Sequence, residues 1–138
     1  MDNTDFNNSK ILPQKRGKKG EEQAASALEA KGMKIIARNI RTRRGEVDIV
    51  AIDGETIVFV EVKAWSTYGL EDLQYGIDIK KQRRIIETAK YFLSENRKYN
   101  KMAVRFDVVF IKGFKAFSGC QASECQVTHL ASAFTERV

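Results

Sequence analysis

The sequence predicts an α/β protein, with a mixed β-sheet flanked by helices on both faces. The hydrophobic patterns follow the order helix, strand, β-hairpin, helix, strand. The last strand is apolar on both faces over its second half, as in a strand covered from two sides. A length of 138 residues, with 43% hydrophobic and 30% charged content, fits one globular domain. We expect this domain to span residues 17–138, after a disordered or loosely ordered tail over residues 1–16.

The first helix is indicated by apolar residues that recur at helical spacing between Lys18 and Lys31. These residues are Ala24, Ala25, Ala27 and Leu28. Gly32 follows directly and should end the helix. Met33–Ile40 then predicts the first strand, and Arg41–Arg44 predicts a short basic connector.

A longer helix is predicted over Ile77–Arg97, with an apolar stripe made of Ile85, Ile86, Ala89, Phe92 and Leu93. Asp78 lies near its start, where a carboxylate interacts favourably with the helix dipole. The segment Ser66–Gly76 before it has no consistent period and is predicted to be a loop or irregular helix. Ala103–Lys112 alternates as a strand does. Because a helix separates it from the hairpin, we expect a parallel pairing through a right-handed crossover.

The hairpin is predicted by two β-branched apolar runs, Val47–Ile52 and Thr56–Val62, that flank Asp53-Gly54. A two-residue turn at Asp53-Gly54 would pair residue 48 with residue 59. A register shifted by two residues would pair residue 48 with residue 61. Either register gathers the polar exceptions of the two strands on one face. These exceptions are Glu46, Asp48, Glu61 and Lys63.

Like charges that face each other across a sheet destabilise it, so this group of acids requires a counter-charge. A Mg²⁺ ion would supply it, since Mg²⁺ binds one or two carboxylates and completes its shell with water and substrate phosphate. Lys63 is then placed to orient or help deprotonate a water, or to steady a phosphate oxygen. Glu46 is a reserve acid that could instead pair with an arginine. The alternative to metal chemistry is a surface hairpin with salt-bridged side chains.

The net charge of +6 and a pI near 9.4 favour an anionic partner. Three basic clusters lie at the boundaries of predicted elements. They are Lys15, Arg16, Lys18 and Lys19; Arg38, Arg41, Arg43 and Arg44; and Lys80, Lys81, Arg83 and Arg84. Each alone fits a solvated surface, but three of them around a candidate metal site are typical of a track for nucleic-acid phosphates. Trp65, Tyr68 and Tyr75 are available to stack on bases or to pack against the core.

Other functional classes receive little support. No apolar run approaches the roughly 20 residues that span a membrane, and the polar N-terminus lacks the hydrophobic region of a secretory signal. We therefore expect a cytoplasmic protein without a membrane partner. Cys120, Cys125 and His129 offer three zinc ligands where a structural site normally closes at four, so we expect free thiols. Asp107 is expected to pair with Arg105 or a neighbouring lysine.

An acid at Val47-Asp48, followed by Glu61-Val62-Lys63 at the end of an apolar strand, resembles the PD-(D/E)xK nuclease signature, with Val47 in place of proline. Further landmarks extend the resemblance from about Gly17 to Phe134. They are Gly20-Glu21, Arg38-Asn39, Gly45-Glu46, Tyr68-Gly69, Lys81-Gln82, Arg105–Val109, His129 and Ala133-Phe134. Together they resemble the YraN family, small bacterial proteins that are considered endonuclease-like and are mostly uncharacterised. The resemblance implies a restriction-endonuclease-like core. Trp65 departs from the family, which tends to have a basic residue after the lysine.

The resemblance further implies an endonuclease, dependent on Mg²⁺ or Mn²⁺, that hydrolyses phosphodiester bonds in DNA, including branched DNA in repair or recombination. Asp48, Glu61 and the backbone carbonyl of Val62 would hold the metal, and Lys63 would activate or orient the water. Glu21 matches a helix glutamate that binds metal or positions water in related junction-resolving nucleases. Those enzymes are dimers, which by analogy suggests a homodimer here. Without that role, Glu21 would simply favour the start of its helix.

Nucleic-acid contacts are expected at Lys18, Lys19, Arg41, Arg43, Arg44, Lys81, Gln82 and Arg84. In related nucleases a glutamine or lysine from the second helix can reach the site, which is why Gln82 is included. Two alternatives to a nuclease remain open. One is a nucleic-acid-binding protein that keeps the nuclease fold without turnover. The other is an interaction module whose charged residues form surface salt bridges.

Overall fold

Residues 11–65, 77–112 and 126–136 are described by a computed structural model of the chain. Their elements, in chain order, are helix α1 (Ile11–Ala30), strands β1 (Lys34–Thr42), β2 (Gly45–Asp53) and β3 (Thr56–Trp65), helix α2 (Ile79–Glu95), a 3-10 turn (Arg97–Tyr99), and strands β4 (Ala103–Lys112) and β5 (Gln126–Phe134). The predictions for residues 1–10, for Ser66–Gly76 with Tyr68 and Tyr75, and for Cys120 and Cys125 concern residues outside this described set.

Within the described residues the strands form one five-stranded sheet in the order β1-β2-β3-β4-β5. Neighbouring strands are antiparallel, except that β3 and β4 are parallel. Helix α2 lies between β3 and β4 in the chain, because a parallel pair needs a long crossover. The predicted α/β class, with a mixed sheet and a restriction-endonuclease-like arrangement, is confirmed.

Each helix packs in its own hydrophobic cluster. Helix α1 buries Ala24, Ala25 and Leu28 against strand residues that include Val58 and Val60. Helix α2 buries Ile85, Ile86, Ala89 and Phe92 in a second cluster, where the Phe59 ring lies 5.9 Å from both the Phe92 and the Phe106 rings. Because β-strand side chains alternate between faces, the two clusters cover opposite faces of the sheet. In the described part of the chain, no helix has the length and apolar character that crossing a membrane requires.

Several elements differ from the sequence predictions. Helix α2 spans Ile79–Glu95 rather than Ile77–Arg97, and helix α1 begins at Ile11 rather than Lys18. Pro13 falls in its first turn, where a helix does not use the backbone N–H that proline lacks. Strand β1 continues through Thr42, into the segment predicted as a connector. Strand β5 was not predicted, because its sequence has no clear alternation.

The hairpin turn lies one residue later than Asp53-Gly54. Asp53 pairs with Thr56, which leaves Gly54-Glu55 as the two-residue loop. Gly54 has a φ of +65°, the conformation that the first central position of a type II′ hairpin turn requires of glycine. Of the two registers considered, the observed one is therefore the register that sets residue 48 opposite residue 61.

Helix α2 approaches the start of β2 closely at Gly45. A Cβ atom at Gly45 would lie 2.8 Å from the Arg84 Cβ and 3.2 Å from the Thr88 Oγ1. The Asp78 side chain accepts a hydrogen bond from the Lys81 backbone N–H at 2.8 Å and so caps the first turn of α2. This packing and the cap fix the start of α2 next to the strand that carries Asp48.

Candidate functional site

The site begins where the β2–β3 ladder stops. The last paired residues are Ile49 and Val60, one step before Asp48 and Glu61. The Val62 N–H donates to Asp48 Oδ2 at 2.7 Å instead of to a β2 carbonyl. The Asp48 carboxylate therefore lies in the gap between the two strands. Because the N–H and C=O of a strand residue point to the same neighbour, the Val62 carbonyl faces this gap as well.

Asn39 on β1 lies across from Asp48, since the flanking pairs are Arg38 with Ile49 and Ile40 with Val47. Its φ of +53° is in the left-handed region, which asparagine tolerates better than most residues. The Asn39 side chain also hydrogen-bonds Glu21 of α1. Asn39 thus links the helix glutamate to the strand next to Asp48, a role that no sequence signal beyond the residue type indicates.

Glu61 reaches the gap from β3 and meets α2 through Lys81. Its side chain is 6% exposed, and Oε2 lies 2.9 Å from the Lys81 Nζ. The other oxygen, Oε1, is buried and has no hydrogen-bond donor among the residues that the structure describes. Burial alone would lower the pKa of Lys81, but its hydrogen bond and charge interaction with Glu61 raise it. A buried carboxylate oxygen without a donor is costly, so Oε1 is suited to an additional cation.

Negative charge is concentrated around Asp48. Burial first, and then the neighbouring Glu61 carboxylate, raise the pKa of Asp48 well above its usual value, against the hydrogen bond from Val62. Burial likewise raises the pKa of Glu21, although Asn39 and Arg38 favour its ionised form. Neighbouring carboxyl groups with raised pKa values are typical of functional sites. A cation bound between the acids would offset the repulsion between their charges.

Asp48 and Glu61 fit a hard divalent cation. Among the described residues, no three or more histidine, cysteine, aspartate or glutamate side chains come together as a metal-binding group. Glu21 therefore does not complete a three-acid cluster with them. Mg²⁺, however, commonly takes only one or two carboxylates, with water and phosphate as further ligands. Two carboxylates, the free Glu61 Oε1 and the Val62 carbonyl provide that donor set.

Two other residues that were predicted to lie near the acids, Lys63 and Glu46, lie at the edge of the site. Lys63 follows Glu61 by two residues, on the same face of β3, and is exposed. Glu46 is exposed and its Oε1 lies 3.4 Å from Arg41 Nη1. Glu46 therefore pairs with an arginine, the alternative role considered for it.

The structure distributes the residues predicted to bind nucleic acid over several surroundings. Arg43 and Arg44 are exposed in the β1–β2 turn, with Arg44 Nη1 2.8 Å from Glu87 Oε1. The Gln82 side chain donates to the Ile77 carbonyl at 3.1 Å rather than reaching the acids. Arg84 is exposed beside Gly45. Lys18 and Lys19 belong to α1, and their side chains are outside the described set.

Lys81 was predicted only as a phosphate contact, and its ion pair with Glu61 was missed. A lysine three residues after a capping aspartate gives no sequence signal of the strand it faces. Lys90 and Tyr91, which line the groove described below, were also missed. Tyr91 lies outside the apolar stripe of α2 and is 53% exposed, a feature that a helical wheel could have revealed.

A second polar network lies on β4 and β5. Asp107 is fully buried and accepts hydrogen bonds from Arg105, from the Ser132 N–H and from His129 Nε2. Burial alone would raise the pKa of Asp107, but these hydrogen bonds, that of Arg105 first, lower it. The predicted Asp107–Arg105 pair is confirmed. His129 Nδ1 lies 2.9 Å from the Lys31 Nζ, so both ring nitrogens of His129 have protein partners.

Comparison with known proteins identifies the family. A family model described as "Uncharacterised protein family UPF0102" matches residues 20–111. A UPF0102 protein of Treponema denticola is 43% identical over 125 residues, which cover 86% of this chain and 93% of that protein. A UPF0102 protein of Prosthecochloris aestuarii is 40% identical over 124 residues, covering 90% and 96%. One of Thermotoga petrophila is 44% identical over 102 residues, covering 74% and 93%. The chain therefore belongs to the UPF0102 family, the YraN group of PD-(D/E)xK nuclease-like proteins.

Proposed function

We propose that the protein is a Mg²⁺-dependent endonuclease that hydrolyses phosphodiester bonds in DNA, and that it acts in the cytoplasm. The observation that supports this most is the convergence of Asp48 and Glu61 where the β2–β3 ladder stops, with Glu61 Oε1 buried and lacking a donor among the described residues. Two neighbouring acids, Glu61 buried and Asp48 partly buried, destabilise the fold, which favours a role in binding a cation that the substrate phosphate shares.

Each residue of the site has a part in this proposal. Asp48, Glu61 and the Val62 carbonyl hold the metal, which on binding polarises the phosphate and offsets the charge that develops on it. Lys63, exposed beside Glu61, orients the attacking water or steadies a phosphate oxygen. Glu21 receives or passes on a proton through water, since its pKa is raised. Arg43 and Arg44 hold neighbouring phosphates.

Cleavage of end-labelled branched, flapped and linear DNAs, with Mg²⁺, Mn²⁺ or a chelator, tests the proposal. We expect the parent protein to cut with either metal and not with the chelator. Asp48→Asn and Glu61→Gln should lose cleavage and keep DNA binding, because the basic residues are unchanged. Glu22→Gln removes an exposed acid of the same helix as Glu21 and should cut at the parent rate. Parent-rate cleavage by both site variants would contradict the proposal.

A second candidate is a nucleic-acid-binding protein that keeps this fold without turnover. The observation in its favour is the ion pair between Lys81 and Glu61, since Lys81 already supplies a counter-charge to the acids. Calorimetric titration separates the two candidates. DNA binding without uptake of Mg²⁺ or Mn²⁺, together with no cleavage of any DNA in the panel, would favour the second candidate over the nuclease.

A further inference from the structure

A basic groove lies between the β1–β2 turn and helix α2, outside the acidic site. Its volume is about 500 Å³, within the range of roughly 300–1,000 Å³ for sites that bind small organic groups. The lining includes Arg41, Arg43, Arg44, Glu87, Lys90 and Tyr91. Three of the four cationic side chains in the lining are ion-paired, Arg41 with Glu46, Arg44 with Glu87 and Lys90 with Glu136. Arg43 is exposed, and the side chain of Arg44 is 72% exposed, so these two cations are the ones placed to meet an anion such as a phosphate.

The groove also presents an aromatic ring. Tyr91 is 53% exposed, whereas Tyr99 stacks on Phe92 with ring centroids 6.3 Å apart and so packs against the core. An exposed tyrosine gains little from packing. Aromatic rings set among arginine and lysine side chains are the usual platform on which proteins stack the bases of single-stranded nucleic acid.

The acidic site lies toward the other end of the same helix. Lys81 contacts Glu61, and Tyr91 lines the groove ten residues later. Ten residues of helix span about 15 Å. Between these two points α2 packs against the start of β2, where Thr88 is fully buried next to Gly45. The groove is therefore separate from the acids, with this packed stretch of helix between them.

We propose that the groove binds an unpaired nucleotide, with its base stacked on Tyr91 and its phosphate held by Arg43 and Arg44. This inference deepens the proposed function and rests on it for the position of the scissile phosphate, which would lie at the acids about 15 Å along α2. In a duplex both faces of a base are covered by its neighbours, so stacking on Tyr91 requires a flap, gap or branch. The substrate class is therefore DNA in which a single-stranded segment adjoins a duplex.

Binding in a chelator, where nothing is cut, tests the groove by fluorescence anisotropy with single-stranded and duplex oligonucleotides. Tyr91→Ala should bind single strands roughly 5- to 150-fold more weakly and bind duplex as the parent does. Tyr91→Phe keeps the ring and should match the parent. Arg44→Gln should weaken both and lower the salt dependence by about one counterion. Lys101→Gln, an exposed lysine outside the groove, should change neither.

The position of the stacked base is tested with 2-aminopurine placed at successive positions of a DNA flap. Its fluorescence should be quenched most at one position of the single-stranded segment, with the parent and Tyr91→Phe but not with Tyr91→Ala. Unchanged single-strand binding by Tyr91→Ala, or an equal loss for duplex, would overturn the inference. Ring-dependent binding without any cleavage would support the groove and contradict the nuclease. Cleavage with no effect of Tyr91→Ala on binding would overturn the groove alone.

Discussion

Replacing Asp48 by asparagine should stabilise the protein while removing its proposed activity. Asparagine has nearly the same shape, and its side-chain oxygen can still accept the hydrogen bond that Val62 donates at 2.7 Å. What disappears is a partly buried charge next to the Glu61 carboxylate. An uncompensated buried polar group costs about 1–3 kcal/mol, so we expect the free energy of unfolding at pH 8, in chelator, to rise by about that amount.

The pH dependence of this gain tests its cause. Because the pKa of Asp48 is higher in the folded chain than its ordinary value of 3.8, the folded state binds the proton more tightly. The stability of the parent therefore falls as the pH rises from 3.8 through the raised pKa, and the Asp48→Asn variant lacks this loss. Urea unfolding followed by circular dichroism, between pH 4 and pH 9, measures both proteins. A variant that is no more stable than the parent at pH 8, or a gain independent of pH, would refute the reasoning.

Two further predictions concern charged pairs. Lys81→Met removes the cation paired with Glu61. Since Lys81 is 41% exposed, we expect the free energy of unfolding in chelator to fall by only about 1–3 kcal/mol. Added Mg²⁺ should recover more stability in the variant than in the parent. Urea midpoints equal to those of the parent in chelator would contradict this. Asp107→Asn leaves Arg105 and His129 without their buried partner and should cost about 3–5 kcal/mol at pH 7. Because the pKa of Asp107 is lowered, the difference from the parent should shrink as the pH falls below 3.8; a difference that persists undiminished at pH 3 would argue against the assignment.

The elements that sequence predicted well are those whose pattern is local. Strand β4 was predicted with the observed bounds because Ala103–Lys112 alternates and is bounded on both sides. The apolar stripe of α2 agrees with its buried residues for the same reason. Helix α1 starts seven residues before the predicted Lys18, since the single glycine at position 17 costs a helix only about 1 kcal/mol and does not interrupt it. Strand β5 depends on pairing with β4, which is information that a window of sequence does not hold.

The sequence predicted which residues form the candidate site better than it predicted how they are arranged. Alternation along the strands suggested that Asp48 and Glu61 share a face of the sheet. Instead they meet where the strands part, with Asp48 turned into the gap toward Val62 and Glu61 held by Lys81. The left-handed conformation of Asn39 accompanies this departure from regular pairing. Side-chain contacts between distant elements, such as Lys81 with Glu61, depend on helix placement and cannot be read from spacing.

The hydrogen bond from the Val62 N–H to Asp48 joins two strands through the side chain for which we propose a chemical role. Elsewhere β2, β3 and β4 are paired by hydrogen bonds between backbone atoms, which a change of side chain does not remove. Here the hydrogen bond is accepted by a carboxylate, as it is between β4 and β5 where Ser132 donates to Asp107, and an amide at position 48 can accept it without separating the strands. Within this family, one nucleotide change in the gene would therefore remove the activity that we propose and leave the fold intact.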